Sequence, residues 1–532
     1  MQRTVGTYDY VVVGAGSAGC VMANRLTERS DRTALVLEAG EPNDKREIDV
    51  PLALGELFRS SVDWEYYTEP QSECDGRRLY WPRGKTLGGS SSINAMIYIR
   101  GHRTDYDHWA DLGNEGWSYE ELLPYFRKSE HFEPGGSAYH GMGGPLNVAE
   151  PRSPRPLSRR FVDGAAAAGH ERNPDFNGER QEGVGLYHLT QKDGKRCSAA
   201  DAFLTPALDR PNLRAETGAH VTRVTFDGDR ATGVEFRQDG REYHARADRE
   251  VVVCGGAVDS PKLLMLSGIG DPEHLAEHGI ETRAELPGVG RNLQDHLFAF
   301  NVYRATEPVT LDDAESLPNL AKYLLFKRGP LTSNIAESGG FARTEAGSGG
   351  LDAPDLQFHF VPAYLMRHGF DNPEEGHGFS IGVTQLRPES RGRVTLRSAD
   401  PLASPSIDPR YLSEESDLDV LVEGIRMARE IADQRPFDDV RGEEVWPGEG
   451  KESDEAIAEW ARETVETVYH PVGTCRMGDD DMAVVDDELR VHGVEGLRVV
   501  DASVMPTIPG GNTNAPTIAV AERAADLTRA AW

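Results

Sequence analysis

Two stretches of this chain hold residue types that do chemistry, at spacings that suit it. Near the amino terminus, Gly14, Gly16 and Gly19 form G-x-G-x-x-G, with Ser17 and Ala18 between the last two and Glu38 and Ala39 closing the next apolar run. Glycines so placed let the chain turn sharply, approach a pyrophosphate and pack a helix on a strand, and the helix N-terminus favours the negative charge. The acid can then accept hydrogen bonds from ribose hydroxyls, so the unit predicts a bound dinucleotide, NAD or FAD. Far downstream, YHPVGTCRMG (residues 469–478) sets His470 directly before a proline and a short glycine-containing run. Imidazole titrates near working pH and moves protons readily. By itself the stretch leaves two readings, a chemical group or a residue in a turn.

The elements that must position these groups are legible in the apolar pattern. Residues 9–13 are a buried β-run, the glycine turn leads into a helix, and TALVLEAG (33–40) completes a βαβ unit. Further β-runs fall at HVTRVTF, REVVVCGGA and LRVVDAS, far apart along the chain. A second glycine cluster, GKTLGGSSSIN (84–94), gathers small residues and backbone N–H groups without a Walker lysine pattern, as suits a loop lying against a flat ligand. The β-like AMIYIRG that follows predicts a packed segment. Near the carboxyl end, PGGNTNAPTIAVAERAAD predicts a turn, then Asn514, then Pro516 opening an amphipathic helix. Between about 301 and 464 shorter alternating segments such as LQFHFV and FSIGVTQLRP mix with helices such as DVLVEGIRMAREIAD, which predicts a second domain inserted into the first. TEAGSGGLDAPD (344–355) is expected to be an exposed loop of that domain.

At 532 residues the chain is long enough for more than one core. Its formal charge of −31 repels phosphate backbones and argues against nucleic-acid binding. Lysine is scarce among the 57 cations, a surface resembling that of proteins from salt-loving organisms. Five scattered cysteines without a C-x-x-C suggest neither disulfide framework nor zinc site, and a reducing compartment fits them. With no apolar signal core and no long uninterrupted apolar run, a soluble cytoplasmic protein without an integral membrane segment is expected.

Taken together the motifs resemble the glucose-methanol-choline oxidoreductases, choline and related alcohol dehydrogenases in particular. GKTLGGSSSINAMIYIRGHRTDYD (84–107) is similar to the first signature of that family and GAVDSPKLLMLSGIG (256–270) to its second, while HPVGTCRM and GGNTNAPT match its C-terminal motifs. The resemblance implies an α/β fold: a Rossmann-like FAD-binding domain from residues 1–155, 195–300 and 465–532, and an inserted α+β substrate domain on an antiparallel sheet from 156–194 and 301–464. It implies FAD held by the Gly14–Gly19 turn, Glu38 and Ala39, by Gly84, Leu87, Gly88, Ser91, Asn94, Ala95 and Met96, by Val221, and by Asp501, Ala502, Asn512, Pro516 and Thr517. Relatives that tether the flavin have histidine where Ile93 precedes Asn94, so the FAD is expected to be noncovalent.

In such enzymes a histidine and a second His or Asn face the flavin, which implies His470 as the base and Asn514 as the anchor of the alcohol oxygen while flavin N5 takes the hydride. The implied partners are a small-molecule alcohol, oxidised to the aldehyde, and an electron acceptor drawn from quinones, carrier proteins or oxygen. Trp64 and Glu337 resemble choline dehydrogenases and alcohol dehydrogenases alike; they would hold a quaternary ammonium through cation–π attraction and charge, or pack at a domain boundary. The family also leaves room for a cyanohydrin lyase that keeps FAD without net redox, and for an inactive relative. His274 and His278 stand at metal-binding spacing, but a solvated helix face is the expectation, with no metal, and Cys475 is expected in a packed turn.

Overall fold

The computed structural model describes residues 3–347, 352–373 and 375–532; residues 348–351 of the expected loop at 344–355 lie outside them. Strand Arg3–Val13 ends in the glycine turn, helix Ser17–Leu26 follows, and strand Ala34–Leu37 returns parallel to it, Tyr10 to Val13 facing Ala34 to Leu37. All four residues of the returning strand are buried, as a parallel strand covered on both faces requires. The sheet runs in the order Leu213–Glu216, Ala34–Leu37, Arg3–Val13, Arg241–Val253, Arg230–Gln238, His220–Asp227. The long strand Arg241–Val253 does two jobs. Its first half pairs antiparallel with Arg230–Gln238, and Val251 to Val253 run parallel both to Val11–Val13 and to Leu497–Val499.

A second sheet, antiparallel in every pairing, has the order Arg441–Trp446, Leu297–Ala305, Gly378–Gln385, Leu356–Val361, Ser338–Ala342, Gly183–Leu186. Helices Pro156–Ala167, Glu415–Ala432 and Asp454–Thr464 pack on it through Phe161, Leu421, Ile425 and Ile457, all fully buried. The chain first enters this sheet at Gly183–Leu186 and again at Leu297, and Glu466–Thr467 still pairs with Leu297 and Phe298 before the chain returns to the first sheet.

AMIYIRG is packed as expected, with Met96 to Arg100 all buried, but its β-like pattern forms no regular strand: Ile97 makes an isolated bridge to Leu189, and Met96 takes a left-handed φ of 59° that breaks the extended run. Its backbone groups go instead to Tyr98 N–His188 O, Thr190 N–Met96 O and Arg100 N–Asn177 Oδ1. A left-handed β-run residue is strained, and the strain sits in the wall of the cavity described below.

The strand Leu497–Val499 delivers the chain to that cavity, and a buried ion pair locks it. Arg498 Nε lies 2.6 Å and Nη2 3.2 Å from the Glu250 carboxylate, both side chains almost fully enclosed. Removing one partner strands a buried charge, at a cost of about 3–5 kcal/mol. Glu250→Ala is therefore expected to lower the urea midpoint of the first unfolding transition markedly; a midpoint equal to wild type would show that the pair contributes nothing to holding this strand.

Candidate active site

A large cavity lies where the carboxyl ends of the parallel strands meet the second sheet. Its first wall is the glycine turn. Gly19 abuts the turn so closely that a Cβ there would lie 1.9 Å from Gly14 O, so no other residue lets helix Ser17–Leu26 start at this angle. Glu38 is buried beside it, accepting from Ala15 N and Gly40 N at 2.8 Å each. Burial pushes its carboxyl up to about 7 against the pull of those two amides.

The second wall is the loop after Gly84, whose short helical turn Gly89–Ser92 touches the first: a Cβ on Gly89 would come 2.7 Å from the Gly16 Cα. Asn94 Oδ1 in this loop accepts from Met96 N and Arg196 Nη1 at 3.0 and 2.9 Å. On the far side Asp501 Oδ2 accepts from Gly256 N at 2.8 Å and Ser260 Oγ at 2.6 Å, tying the segment after Leu497–Val499 to the helix that begins at Gly256.

Of the residues expected around FAD, Gly14, Gly16, Ser17, Ala18, Glu38, Ala39, Gly84, Asn94, Ala95, Met96, Val221, Asp501, Ala502, Asn512 and Thr517 line this cavity. Gly19, Leu87, Gly88, Ser91 and Pro516 do not; they stand behind the wall and shape it, as where Ser91 Oγ donates to Gly88 O and accepts from Ala199 N. The amides of the glycine turn, the buried Glu38 and two loops without side chains at their contact are the donors, acceptor and bare cradle that a flat dinucleotide needs, so the residues present fit FAD.

His470 stands in the same cavity, nearly buried, and its ring is held at both nitrogens. Nδ1 lies 3.0 Å from His296 Nδ1, and Nε2 lies 3.1 Å from Asn512 Nδ2. The proton positions follow from the partners. His296 Nε2 faces Leu386 O at 3.0 Å, an acceptor only, so His296 carries its proton on Nε2 and a lone pair on Nδ1. His470 must then donate from Nδ1, which leaves the lone pair on Nε2, facing the cavity and the Asn512 amide. Gln357 Nε2 donates to Asn512 Oδ1 at 3.2 Å and so orients that amide with its N–H toward the histidine.

Burial, reinforced by His296, His359 and Arg83, holds the His470 imidazole well below its ordinary range. Burial takes His296 down to about 3 and His359 to about 4. Asp295, buried beside them and raised to about 6 by that burial, accepts from His470 N at 2.8 Å and from Tyr411 and Thr467, so it pins the backbone of the histidine segment.

Asn514 is not the partner of His470. Its Oδ1 accepts from Ser17 Oγ at 2.7 Å, at the glycine turn, because Asn514 already belongs to the helix Asn514–Ala530 that points at that turn. Asn512, two residues earlier and ahead of the helix, reaches the histidine. Asn514 still lines the cavity, whereas Glu337 does not: fully buried, it accepts from Arg155 N and Ser158 Oγ at 2.6 Å each and caps helix Pro156–Ala167. Trp64 does line it, but one ring neighbour is Lys85 Nζ, 4.6 Å from the centroid, and Tyr66 stacks at 5.7 Å. The residues that the sequence reading missed are His296, Asp295, His359 and Arg83. One signal was present: Asp295–His296 stands immediately before the apolar run LFAFNVY, where an acid and an imidazole entering a buried strand need partners. His274, Glu277 and His278 bring possible ligand atoms within 4.8 Å of one another, but His274 Nε2 accepts from Leu396 N, which leaves the ring proton on the Nδ1 that faces Glu277. Cys475 is buried in its turn, and burial pushes its thiol well up.

Known proteins agree with this geometry. The GMC oxidoreductase sequence profiles match residues 8–298 and 388–521. The chain is 45% identical to alcohol dehydrogenase [acceptor] of Pseudomonas putida, over 98% of this chain and 95% of that one. It is equally 45% identical to mitochondrial choline dehydrogenase of Mus musculus, over 98% and 89%. Among solved structures, pyridoxine 4-oxidase from Mesorbium loti superposes with a TM-score of 0.89 at 35% identity, covering 98% of each chain. With the dinucleotide cradle, the histidine facing it and these matches along nearly its whole length, the chain belongs to the GMC oxidoreductase family, FAD-dependent flavoenzymes that act on CH–OH donors.

Proposed function

We propose that the protein oxidises an uncharged primary alcohol to its aldehyde, with His470 Nε2 taking the hydroxyl proton and Asn512 Nδ2 donating to the alcohol oxygen. The observation that carries this reading is the chain from Leu386 O through His296 and His470 to Asn512, which sets the Nε2 lone pair and the Asn512 N–H against each other in the cavity wall, 3.1 Å between the nitrogens. An alcohol O–H that enters between them donates to the first and accepts from the second. As the proton leaves, the amide hydrogen bond strengthens on the developing alkoxide, which is the differential stabilisation that lowers a barrier. FAD, when bound, supplies the acceptor for the hydride. The Gly14–Gly19 turn, Glu38, the loop from Gly84 to Met96, Val221, Asp501, Ala502 and Thr517 would hold it.

The side chains around His470 support an uncharged substrate. Phe58, Phe298, Phe300, Ile335, Val361, Leu365 and Val468 line the cavity with it. The carboxylates in the lining, among the described residues, are Glu38, Asp259 and Asp501, and each is engaged elsewhere: Glu38 with Ala15 and Gly40, Asp259 with Tyr66 Oη, Asp501 with Gly256 and Ser260. A quaternary ammonium would lose its hydration here with aromatic rings but no free counter-charge in return. With Glu337 outside the cavity, choline is the less favoured alcohol.

His470→Ala should keep its FAD and lose about 100- to 10,000-fold in the rate of anaerobic single-turnover flavin reduction, as removal of a general base does. Asn512→Ala should lose about 100-fold by the same measurement, whereas Asn514→Ala, which breaks the bond to Ser17, should weaken FAD retention instead. Near-normal reduction by His470→Ala would refute the assignment.

The base acts only when unprotonated, and its imidazole is held below 6.5. The profile of kcat/KM should therefore stay flat from neutrality downward and fall only below pH 6.5. A limb centred at or above that value would mean that the titrating group is not the buried His470.

Ile93, which precedes Asn94, is packed among Ile48, Leu57 and Val62 and offers no nucleophile. Acid precipitation should release the flavin into the supernatant; yellow colour kept in the pellet would contradict a noncovalent FAD.

A further inference from the structure

Helix Leu317–Phe326 is turned inside out. Leu317, Leu320, Ala321 and Leu324 recur at helical spacing and form one apolar stripe, yet that stripe faces outward. Leu317 is 81%, Leu324 61%, Leu325 74% and Phe326 65% exposed. Tyr323, on the other side, is the helix's buried residue, its hydroxyl reaching Asp49 O. Elsewhere on the described surface large exposed apolar side chains are isolated, as at Leu112, Met142 and Leu208, and need no explanation; here they are contiguous.

The charge of the segment also runs against the rest of the chain. From Leu317 to Arg328 it carries Lys322, Lys327 and Arg328 and no acid, in a protein of formal charge −31. None of the three is paired with a carboxylate among the described residues; Lys327 Nζ instead lies over the Tyr323 ring.

We propose that this helix docks the protein on an anionic lipid surface. Its outward leucines and phenylalanine enter the boundary between headgroups and acyl chains, and the three cations meet the anionic headgroups. The acidic remainder does not prevent this, because physiological salt screens charges beyond about 8 Å. A second copy of the chain is the poorer occupant. A helix about 15 Å long and 10 Å across offers a footprint on the order of 150 Å², against roughly 800 Å² per partner in a stable dimer. No helix among the described residues is long and apolar enough to cross a membrane, so the contact is peripheral. The segment that follows contributes Asn334, Ile335 and Ala336 to the cavity lining, so docking would set the cavity wall close to the lipid.

The test is flotation of the FAD-loaded protein with vesicles of phosphatidylcholine and phosphatidylglycerol in equal parts, or of phosphatidylcholine alone. Wild type should float with the anionic vesicles and less with the neutral ones. Leu324→Glu/Leu325→Glu should reduce binding at least about tenfold at unchanged FAD content, and Lys322→Glu/Lys327→Glu should abolish the preference for anionic lipid. Absence of wild-type binding, or equal binding by Leu324→Glu/Leu325→Glu, overturns the proposal. So does a wild-type dimer in light scattering that this variant converts to monomer, which would assign the face to a second copy.

Discussion

A single backbone carbonyl sets the protonation order of the site. Leu386 O accepts from His296, which obliges His296 to accept from His470, and His470 is left with its lone pair toward the cavity. Nothing in an isolated imidazole chooses between its two nitrogens; the choice is made by the fixed acceptor two groups away. Leu386 follows strand Gly378–Gln385 of the second sheet, whereas His470 lies on the return to the first, so this tautomer is fixed only when both sheets are in place.

Holding that base in a buried site has electrostatic consequences. Two neighbouring imidazoles and Arg83 all oppose a positive charge on His470, and burial opposes it most. His470 is thereby held neutral, and in the role proposed for it the imidazolium formed during turnover would be unstable where it stands. Asp295, the buried acid next to His296, spends its oxygens on the His470 amide, Tyr411 and Thr467. It fixes position without offering a counter-ion to the ring. A poised, reluctant base suits a step in which proton and hydride leave the same substrate.

The cofactor cradle shows the same dependence on distant segments. The turn at Gly14, the loop at Gly89, the helix start at Gly256 and the segment at Asp501 come from four parts of the chain, joined by short hydrogen bonds and by contacts that admit no side chain. Each is unremarkable alone; the cradle is their meeting.

The dinucleotide turn, Glu38 and the βαβ unit were legible in the sequence, because local spacing and apolar period express them directly; the antiparallel second sheet and the candidacy of His470 followed only from the resemblance of the motifs to a family. Spacing did not show which asparagine serves the histidine. Asn512 and Asn514 are two residues apart, and the start of a helix between them sends one side chain to His470 and the other to Ser17. Nor did it show that Glu337 caps a helix away from the cavity, that Met96 leaves the β-run, or that His296, just ahead of strand Leu297–Ala305, completes the relay. The apolar period of Leu317–Phe326 was readable too, but a period says only that one face is apolar. Whether that face meets the core or the solvent depends on what packs beside it, and packing is a property of the whole fold.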